Sequence, residues 1–457
     1  MTAASRGRLA WWWTLLLLAR ASSAESLKRY VEISKDGTSF SLDGKDFYVH
    51  GFNQPQMMTH AADESGRGKI LEVLGDAELH GFNVMRMWAF NDGHSQWNSL
   101  QLYPGVFDEK VFRALDYVLH ESRRHKIRVL LSLTNHWNEY GGTNQYVQWA
   151  KASANASQQG GSSSFGPDAF YSSVECRRLY KNFVAAVLER RNVYTGIAYK
   201  DDDYIFGWDL INEPRAESAP ALQAWIEEMA GFVKSIDKKH LVTSGSEGFF
   251  GKSTPDLTRY NPGSWASAHG VDFVRNHDIP DIDFGVFHLY ADLYLNSCEM
   301  DCALRFSEDY VQAHLTSGLR KPILLEEVGK KGEGRDEYLE VVLRKMHDDH
   351  IGGGYGAGTV IWQLSPSNFS DVDSFAIYLP EHESTSSLVK SFGVRVALRM
   401  ASAFHNGMAV VGWMRQIVTD KIRNFYGNRF WAQHILPAGS NPSVASFSNE
   451  TSDPVLP

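Results

Sequence analysis

Cysteine is scarce, with three in 457 residues. That excludes a fold held by a disulfide framework, so stability must come from a buried core, which a chain of this length can form. A zinc site would need more ligands than these cysteines provide. Past the amino-terminal segment, no stretch is both long enough and free enough of charge to span a bilayer. Clusters of basic residues are also missing, and the net charge is −9, which argues against nucleic acid as a partner. No internal repeat exists beyond an alternation of strand-length and helix-length segments.

What is present is an ordinary globular balance, 43% hydrophobic and 22% charged, with a high aromatic share of 12% that includes 13 Trp. Residues 1–24 have the pattern of a secretory signal peptide: Arg6 and Arg8 at the start, an apolar centre from Ala10 to Ala19, and small Ser22 and Ala24 before the expected cleavage. Losing Arg6, Arg8 and Arg20, and no acid, would lower the charge of −9 by three, to −12. In a secreted chain, Cys298 and Cys302 are close enough to form one local bridge, leaving Cys176 as a buried odd thiol. The sequons at Asn155, Asn368 and Asn449 are then glycosylation candidates.

Two acidic stretches carry the chemistry. Trp208-Asp209-Leu210-Ile211-Asn212-Glu213-Pro214-Arg215 places an Asn-Glu pair where a strand over 204–211 should end, and Pro214 stops that strand from continuing. Lys321 to Gly329 repeats the design, a short apolar run followed by Glu326 and Glu327. A capping Asn and a solvated Glu would explain the first stretch alone. Two such stretches match glycoside hydrolysis, which sets two carboxyl groups against one glycosidic bond. Strand alternation predicts that only one of Glu326 and Glu327 faces the axis of the fold.

The rest of the chain supplies eight strands with helix-length segments between them. Tyr30–Ser34 and Ser39–Leu42 read as a small hairpin around Asp36-Gly37. The eight strands are expected over 47–52, 83–88, 128–133, 204–211, 241–244, 284–287, 323–325 and 359–363. Helices are expected over 70–80, 108–125, 168–190, 219–238 and 383–404, and a long polar cleft loop over 139–167. Such alternation implies an α/β fold with a parallel sheet, and eight units imply a closed (β/α)8 TIM barrel. Residues 25–404 would form that single domain and 405–457 a carboxyl-terminal extension of unknown role.

The candidate site residues gather on one rim of this barrel: Arg86 and Trp88 on strand two, Asn135, His136 and Trp137 after strand three, Asn212 and Glu213 at strand four, His288 and Tyr290 at strand six, Glu327 at strand seven and Trp362 on strand eight. Glu247, in Ser-Gly-Ser-Glu-Gly-Phe-Phe-Gly after strand five, is a further cleft candidate. Trp88 and Trp208 serve equally as cleft walls or as packing beneath the site.

Several stretches, Arg86-Met-Trp-Ala-Phe-Asn-Asp-Gly93, Gln145-Tyr-Val-Gln-Trp-Ala150, the Asn212-Glu213 pair, Glu327-Val328-Gly329 and Ile361-Trp-Gln-Leu364, give the chain from about 26 to 395 its resemblance to the retaining hydrolases of glycoside hydrolase family 5, and within it to plant and invertebrate endo-β-1,4-mannanases. The resemblance implies Glu213 as acid/base, Glu327 (the Glu of the family's Glu-X-Gly) as nucleophile, and Asn212 as a binder of the sugar 2-hydroxyl. The family varies between His and Asn after strand three, so either Asn135 or His136 faces the substrate. Arg86 and Tyr290 should keep Glu327 ionised, and a drier setting tuned by His288 should keep Glu213 neutral. The implied partner is a mannan, glucomannan or galactomannan, acted on by a secreted monomer with no membrane or nucleic-acid partner, and no cofactor or metal is implied. An endo-β-1,4-glucanase or a catalytically silent sugar binder on the same scaffold are the alternatives.

Overall fold

The computed structural model of the protein describes residues 30–156, 165–295, 298–367, 369, 371 and 373–402. The expected signal segment and the extension over 405–457 therefore lie outside the described residues, as does Asn368. The chain opens with a three-stranded antiparallel sheet, β1 (Val31–Ile33), β2 (Phe40–Leu42) and β3 (Lys45–Phe47). The expected hairpin is thus extended by a third strand, and Phe47, expected to open the first barrel strand, ends this one instead.

That barrel strand is β4 (Val49–Asn53), followed by β5 (Val84–Trp88). A short antiparallel ribbon, β6 (Gln101–Tyr103) and β7 (Val106–Phe107), precedes β8 (Arg128–Ser132). The remaining barrel strands are β9 (Ile205–Asp209), β10 (Leu241–Thr243), β11 (Gly285–Leu289), β12 (Ile323–Val328) and β13 (Gly356–Ile361). All eight pair in parallel, in the order β10-β9-β8-β5-β4-β13-β12-β11. The two outer members meet through Asp283 N donating to Val242 O (2.8 Å), Thr243 Oγ1 to Phe284 O (3.0 Å) and Val242 N to Asp283 Oδ2 (2.7 Å). Carboxylate and hydroxyl oxygens here stand in for a regular ladder, and the sheet closes into a (β/α)8 barrel.

The helices follow from capping and spacing. Before α3 (Glu109–Arg124), which comes after α1 (Met57–Ala61) and α2 (Arg67–Leu79), the Asp108 carboxylate accepts from Lys110 N at 2.8 Å. Basic Arg123 and Arg124 occupy its last turn, where the helix dipole favours cations. Against expectation, the polar stretch over 139–167 contains α4 (Gly142–Ala156). Tyr146 and Ala150 are both fully buried, one helical turn apart, while Asn144, Gln148 and Ser153 lie on the outer face. The expected single helix over 168–190 is broken into α5 (Ala169–Ser172) and α6 (Val174–Glu189). Ser173 is extended there (φ −71°, ψ 127°) and its side chain caps the second helix at Cys176 N. Helix α7 (Ala219–Ile236) buries Leu222, Trp225, Ile226, Met229 and Val233, spaced three and four apart. Short α8 (Phe273–His277) and α9 (Ala291–Tyr294), then α10 (Met300–Leu315), α11 (Arg335–Ile351) and α12 (Glu383–Ser402) complete the ring. Cys298 and Cys302 form the expected disulfide at the start of α10, with Cα atoms 5.7 Å apart, and Cys176 is free and buried.

The barrel has two inner storeys. The lower one is apolar, made of Val49, Val84, Leu130, Phe206, Val286, Leu324 and Val360, and the small sheet closes it with Val31, Phe40 and Phe47. Phe40 stands edge-on to Phe206 and Phe284, both with ring centroids 5.2 Å away. Each large side chain buried here contributes about 1.5–3 kcal/mol, an upper bound because unfolded chains already bury some apolar surface. The upper storey is polar and carries the site.

The seam between β10 and β11 gives a direct test. Asp283 accepts from Val242 N and also pairs with Lys234 Nζ at 2.6 Å. Replacing it by Ala removes the acceptor of a part-buried amide and the charged partner of Lys234, which keeps the His240 carbonyl at 2.9 Å, so Asp283→Ala should lower unfolding free energy in urea by about 1–3 kcal/mol. Asp283→Asn, which keeps an acceptor oxygen, should lose clearly less; equal losses for the two would refute the role of the seam.

Candidate active site

Arg86 on β5 is the centre of the upper storey and is fully buried. Its Nη1 donates to Glu327 Oε1 (2.5 Å) and Asn53 Oδ1 (3.3 Å). Nη2 donates to Asp209 Oδ2 (2.7 Å) and Asn212 Oδ1 (2.9 Å), and Nε to Asp209 Oδ2 (3.1 Å). Glu326 Oε1 stands 3.5 Å from Nε. Burial opposes the charge, but the Glu326, Asp209 and Glu327 carboxylates outweigh it and raise the guanidinium above its ordinary value. The Trp88 ring lies against the same guanidinium, 4.9 Å from ring centroid to Cζ.

Glu326 and Glu327 both enter this cluster, which corrects the expectation that Glu326 points away from the axis. Leu324 belongs to the inward lower storey, so alternation brings Glu326 inward as well. A register shift between Phe287 and His288 then aligns Glu327 with His288. This β-bulge lets two consecutive carboxylates share the barrel interior. Glu327 is bound on both oxygens, by Arg86 and by Tyr290 Oη at 2.5 Å.

Glu213 lies beyond β9, which ends at Asp209 rather than near Ile211. Its backbone is left-handed (φ 51°), a conformation non-glycine residues adopt at some cost, and Glu213 N is held by Gly245 O at 2.8 Å. Gly245 itself has φ 75°, and a Cβ there would come within 2.0 Å of Asp209 Oδ1 and 2.1 Å of Ile211 O, so only glycine fits. The Glu213 carboxylate is shared: Oε1 faces His288 Nδ1 at 2.8 Å and Oε2 accepts from Trp137 Nε1 at 2.6 Å. One ligating atom each from Glu213, His288 and Glu327 fall within 4.8 Å of one another. The oxygens of this group are already engaged, by Arg86 and Tyr290 at Glu327 and by His288 and Trp137 at Glu213, as members of a salt-bridged cluster.

The two acids are not poised as expected. Burial raises Glu213, but the His288 hydrogen bond and charge, the Trp137 bond and the Arg215 charge together hold it down at about 2. Burial pushes Glu327 up, against the pull of His288 and Arg86. His288 is pushed up to about 10: burial lowers it, but Glu327, Glu213 and Glu326 outweigh that. These shifts favour the proton on His288, which stands nearer to Glu213 (2.8 Å) than to Glu327 (3.5 Å).

The other predicted residues separate by position. Asn135 is buried and accepts at Oδ1 from Asn212 Nδ2 (3.1 Å), and a parallel bridge joins the two residues. His136 is half-buried, its Nδ1 3.4 Å from Tyr171 Oη. Trp137 is 38% exposed and Trp362 half-buried, so both rings reach the cleft, whereas Trp208 is buried, donates to Asp237 and packs on His240, outside the site. Glu247 is buried and gripped by Arg215 through Nε (2.9 Å) and Nη2 (2.5 Å). Burial and the Glu213 charge push Glu247 up to about 7 despite that pairing. Asp209, Arg215 and Asn53 were not singled out by sequence. Asp209 and Arg215 lie in the same acidic stretch as Glu213, and Asp209 on the strand that leads to Glu213, two strands from Arg86, was the available signal.

The charge pattern fixes a pH window. His288 is raised from 6.5 to about 10, so its contribution to stability is full below 6.5 and disappears as pH rises through about 10. Glu213 is lowered from 4.5 to about 2, so its contribution is full above 4.5 and disappears as pH falls through about 2. A double-mutant cycle of Glu213→Gln and His288→Asn, measured by urea unfolding, should show its largest coupling between pH 4.5 and 6.5, declining on both sides. A coupling that is flat with pH would refute the ion pair.

Comparison with known proteins agrees in sequence and in fold. Residues 28–352 match the family profile described as GH family 5 beta-mannosidase-like. The chain is 42% identical over 373 residues to a putative mannan endo-1,4-beta-mannosidase 5 of Oryza sativa subsp. japonica, covering 77% of this chain and 74% of that one. It is 40% identical over 371 residues to mannan endo-1,4-beta-mannosidase 5 of Arabidopsis thaliana, covering 78% and 84%. Among solved structures, the endo-beta-1,4-mannanase from Thermotoga petrophila superposes with a TM-score of 0.67 at 28% identity, over 78% of each chain. The endo-1,4-beta-mannanase from Rhizomucor miehei gives 0.67 at 28% identity, over 80% of this chain and 99% of that one.

Proposed function

Because the chain belongs to the β-mannosidase-like group of glycoside hydrolase family 5, we propose that it is an endo-β-1,4-mannanase that cleaves internal bonds of mannan by double displacement, with Glu327 as nucleophile and Glu213 as acid/base. The observation that carries the mechanism is the carboxyl spacing. One oxygen of each acid lies within 4.8 Å of the other, which favours the about 5–5.5 Å carboxyl separation of retaining enzymes over the about 6.5–9.5 Å that lets an inverting enzyme hold a water. The names of the relatives support mannan as the polymer.

In the first step Glu327 attacks the anomeric carbon while Glu213 hands a proton to the departing oxygen. In the second, ionised Glu213 takes a proton from water, and the hydroxide so formed releases the sugar from Glu327. Arg86 and Tyr290 hold the Glu327 oxygens in place, so little rearrangement is needed when its charge passes to the sugar. Asn212 is fixed by Arg86 at Oδ1 and by Asn135 at one Nδ2 proton, and its second Nδ2 proton can serve the 2-hydroxyl of the sugar under attack. Trp137 and Trp362 offer ring faces to neighbouring sugars. The amino-terminal pattern supports secretion. Among the described residues, no helix is long and apolar enough to cross a membrane.

Reducing ends should appear with mannan and galactomannan and not with carboxymethyl-cellulose or xylan, and the first product seen by NMR should be β-configured. Turnover of carboxymethyl-cellulose with none on mannan would instead favour the glucanase alternative. Glu213→Gln should lose about 10²–10⁴-fold in kcat/KM on mannan but far less on aryl mannosides with activated leaving groups. Glu327→Gln should be inactive on both. An α-configured first product would overturn the retaining mechanism.

A further inference from the structure

His288 stands in a line of three groups. Its Nδ1 faces Glu213 Oε1 at 2.8 Å, and its Nε2 faces Glu326 Oε2 at 3.3 Å. Ionised carboxylates only accept hydrogen bonds, and a neutral imidazole has a single N–H. Both contacts are therefore satisfied together only when the line holds one proton more than a neutral ring and two carboxylates supply. Glu326 has no task as a nucleophile or as the partner of the leaving group. It is fully buried and meets Arg86 only at 3.5 Å.

We infer that Glu326 is a positioning residue: by accepting from Nε2 it fixes the tautomer of His288, so that the ring's transferable proton stands at Nδ1, aimed at Glu213. The step balances simply. The Nδ1–H bond breaks, an O–H bond forms at Glu213 Oε1, and a neutral Nε2–H ring remains bonded to the Glu326 carboxylate. Glu213 then gives the proton to the leaving oxygen. In the second step a proton from water arrives at Glu213 and returns to Nδ1. This accounts for an acid/base that is ionised in the free protein yet must donate: the proton waits one bond away. Ser-His-Asp sites use the same division of labour, with a buried carboxylate fixing the tautomer of the histidine that moves the proton. The inference rests on the acid/base role proposed for Glu213.

The groups facing His288 all bear on the prediction. Glu213, Glu326 and Glu327 are the carboxylates around the ring, and Arg86 stands beyond the last two with Asp209 behind it. Tyr290 is bonded to Glu327, Tyr294 Oη donates to the His288 carbonyl at 3.3 Å, and Glu247 is paired with Arg215. Among the described residues, Glu326 is the hydrogen-bond partner of Nε2. Removing its charge should therefore lower the affinity of the line for its proton and leave the Nδ1 contacts in place.

The test uses the full-length protein in two arms. Nitrogen-15 NMR with labelled histidine, the His288 signal being identified by its loss in His288→Asn, should find both ring nitrogens of His288 protonated at pH 7. In Glu326→Gln, which keeps an acceptor oxygen but no charge, the His288 titration and the basic limb of the kcat/KM profile on galactomannan should both move to lower pH, by about one unit or more. Glu326→Asp, which keeps the charge, should hold the limb close to that of the parent. A neutral His288 at pH 7 in the parent protein would overturn the inference even if Glu326→Gln failed to fold. So would a Glu326→Gln enzyme whose activity falls equally at every pH. A parent protein inactive on all β-mannans would instead sink the proposed function, while the NMR arm would still decide the state of His288.

Discussion

The interior of this protein is organised by one buried cation. Arg86 reaches two carboxylates and two amides through hydrogen bonds and has a third carboxylate at 3.5 Å, all from strands and loops remote from it in sequence. A planar fork of five donors can hold Asp209, Asn212, Asn53 and Glu327 at once; a lysine ammonium, with three donors around one point, cannot. Breaking a buried pair of this kind by removing one partner costs about 3–5 kcal/mol, because the charge left behind has no solvent. The site is therefore also the place where four strands, β4, β5, β9 and β12, are tied together above the apolar lower storey. Chemistry and barrel closure use the same side chains.

The same crowding explains the inverted order of the two acids. Three carboxylates stand around Arg86, and a single guanidinium cannot neutralise them all. The deficit is met by a protonated His288 and, in part, by raising Asp209, which burial and the Glu326 charge push upward. The resting site thus carries its mobile proton on the imidazole. An arriving sugar, which displaces water and brings no charge, would act on a balance already struck inside the barrel.

Much of this was legible in the sequence because barrels place their chemistry at strand ends. Glu213, Glu327, Arg86, His288 and Tyr290 could be found by looking just past short apolar runs, and the structure brings all five into contact. The eightfold alternation was equally visible. What escaped had identifiable causes. Glu326 was set aside on a strict two-residue period, and a bulge, which needs only one extra residue and leaves no composition signal, broke that period. Helix α4 was hidden by its polar outer face, although Tyr146, Val147, Trp149 and Ala150 already had helical spacing. Ser173 looked like an interior helix residue, but its hydroxyl caps the next helix instead. Trp208 was ambiguous between cleft and core because its inward or outward direction depends on another register shift, between Val129 and Leu130.

The two oxygens of Glu213 meet different worlds. Oε1 is turned to a buried imidazole, and Oε2 to an indole that is partly open to solvent. A carboxyl group with this orientation works as a two-port element. A change of charge at the inner oxygen is felt at the outer one through the shared π electrons, so the imidazole and the indole act on one delocalised group. The hydrogen bonds to His288 and Trp137 hold the two oxygens in those places. The orientation of this carboxylate is therefore set by two neighbours in opposite settings, one buried and one at the surface.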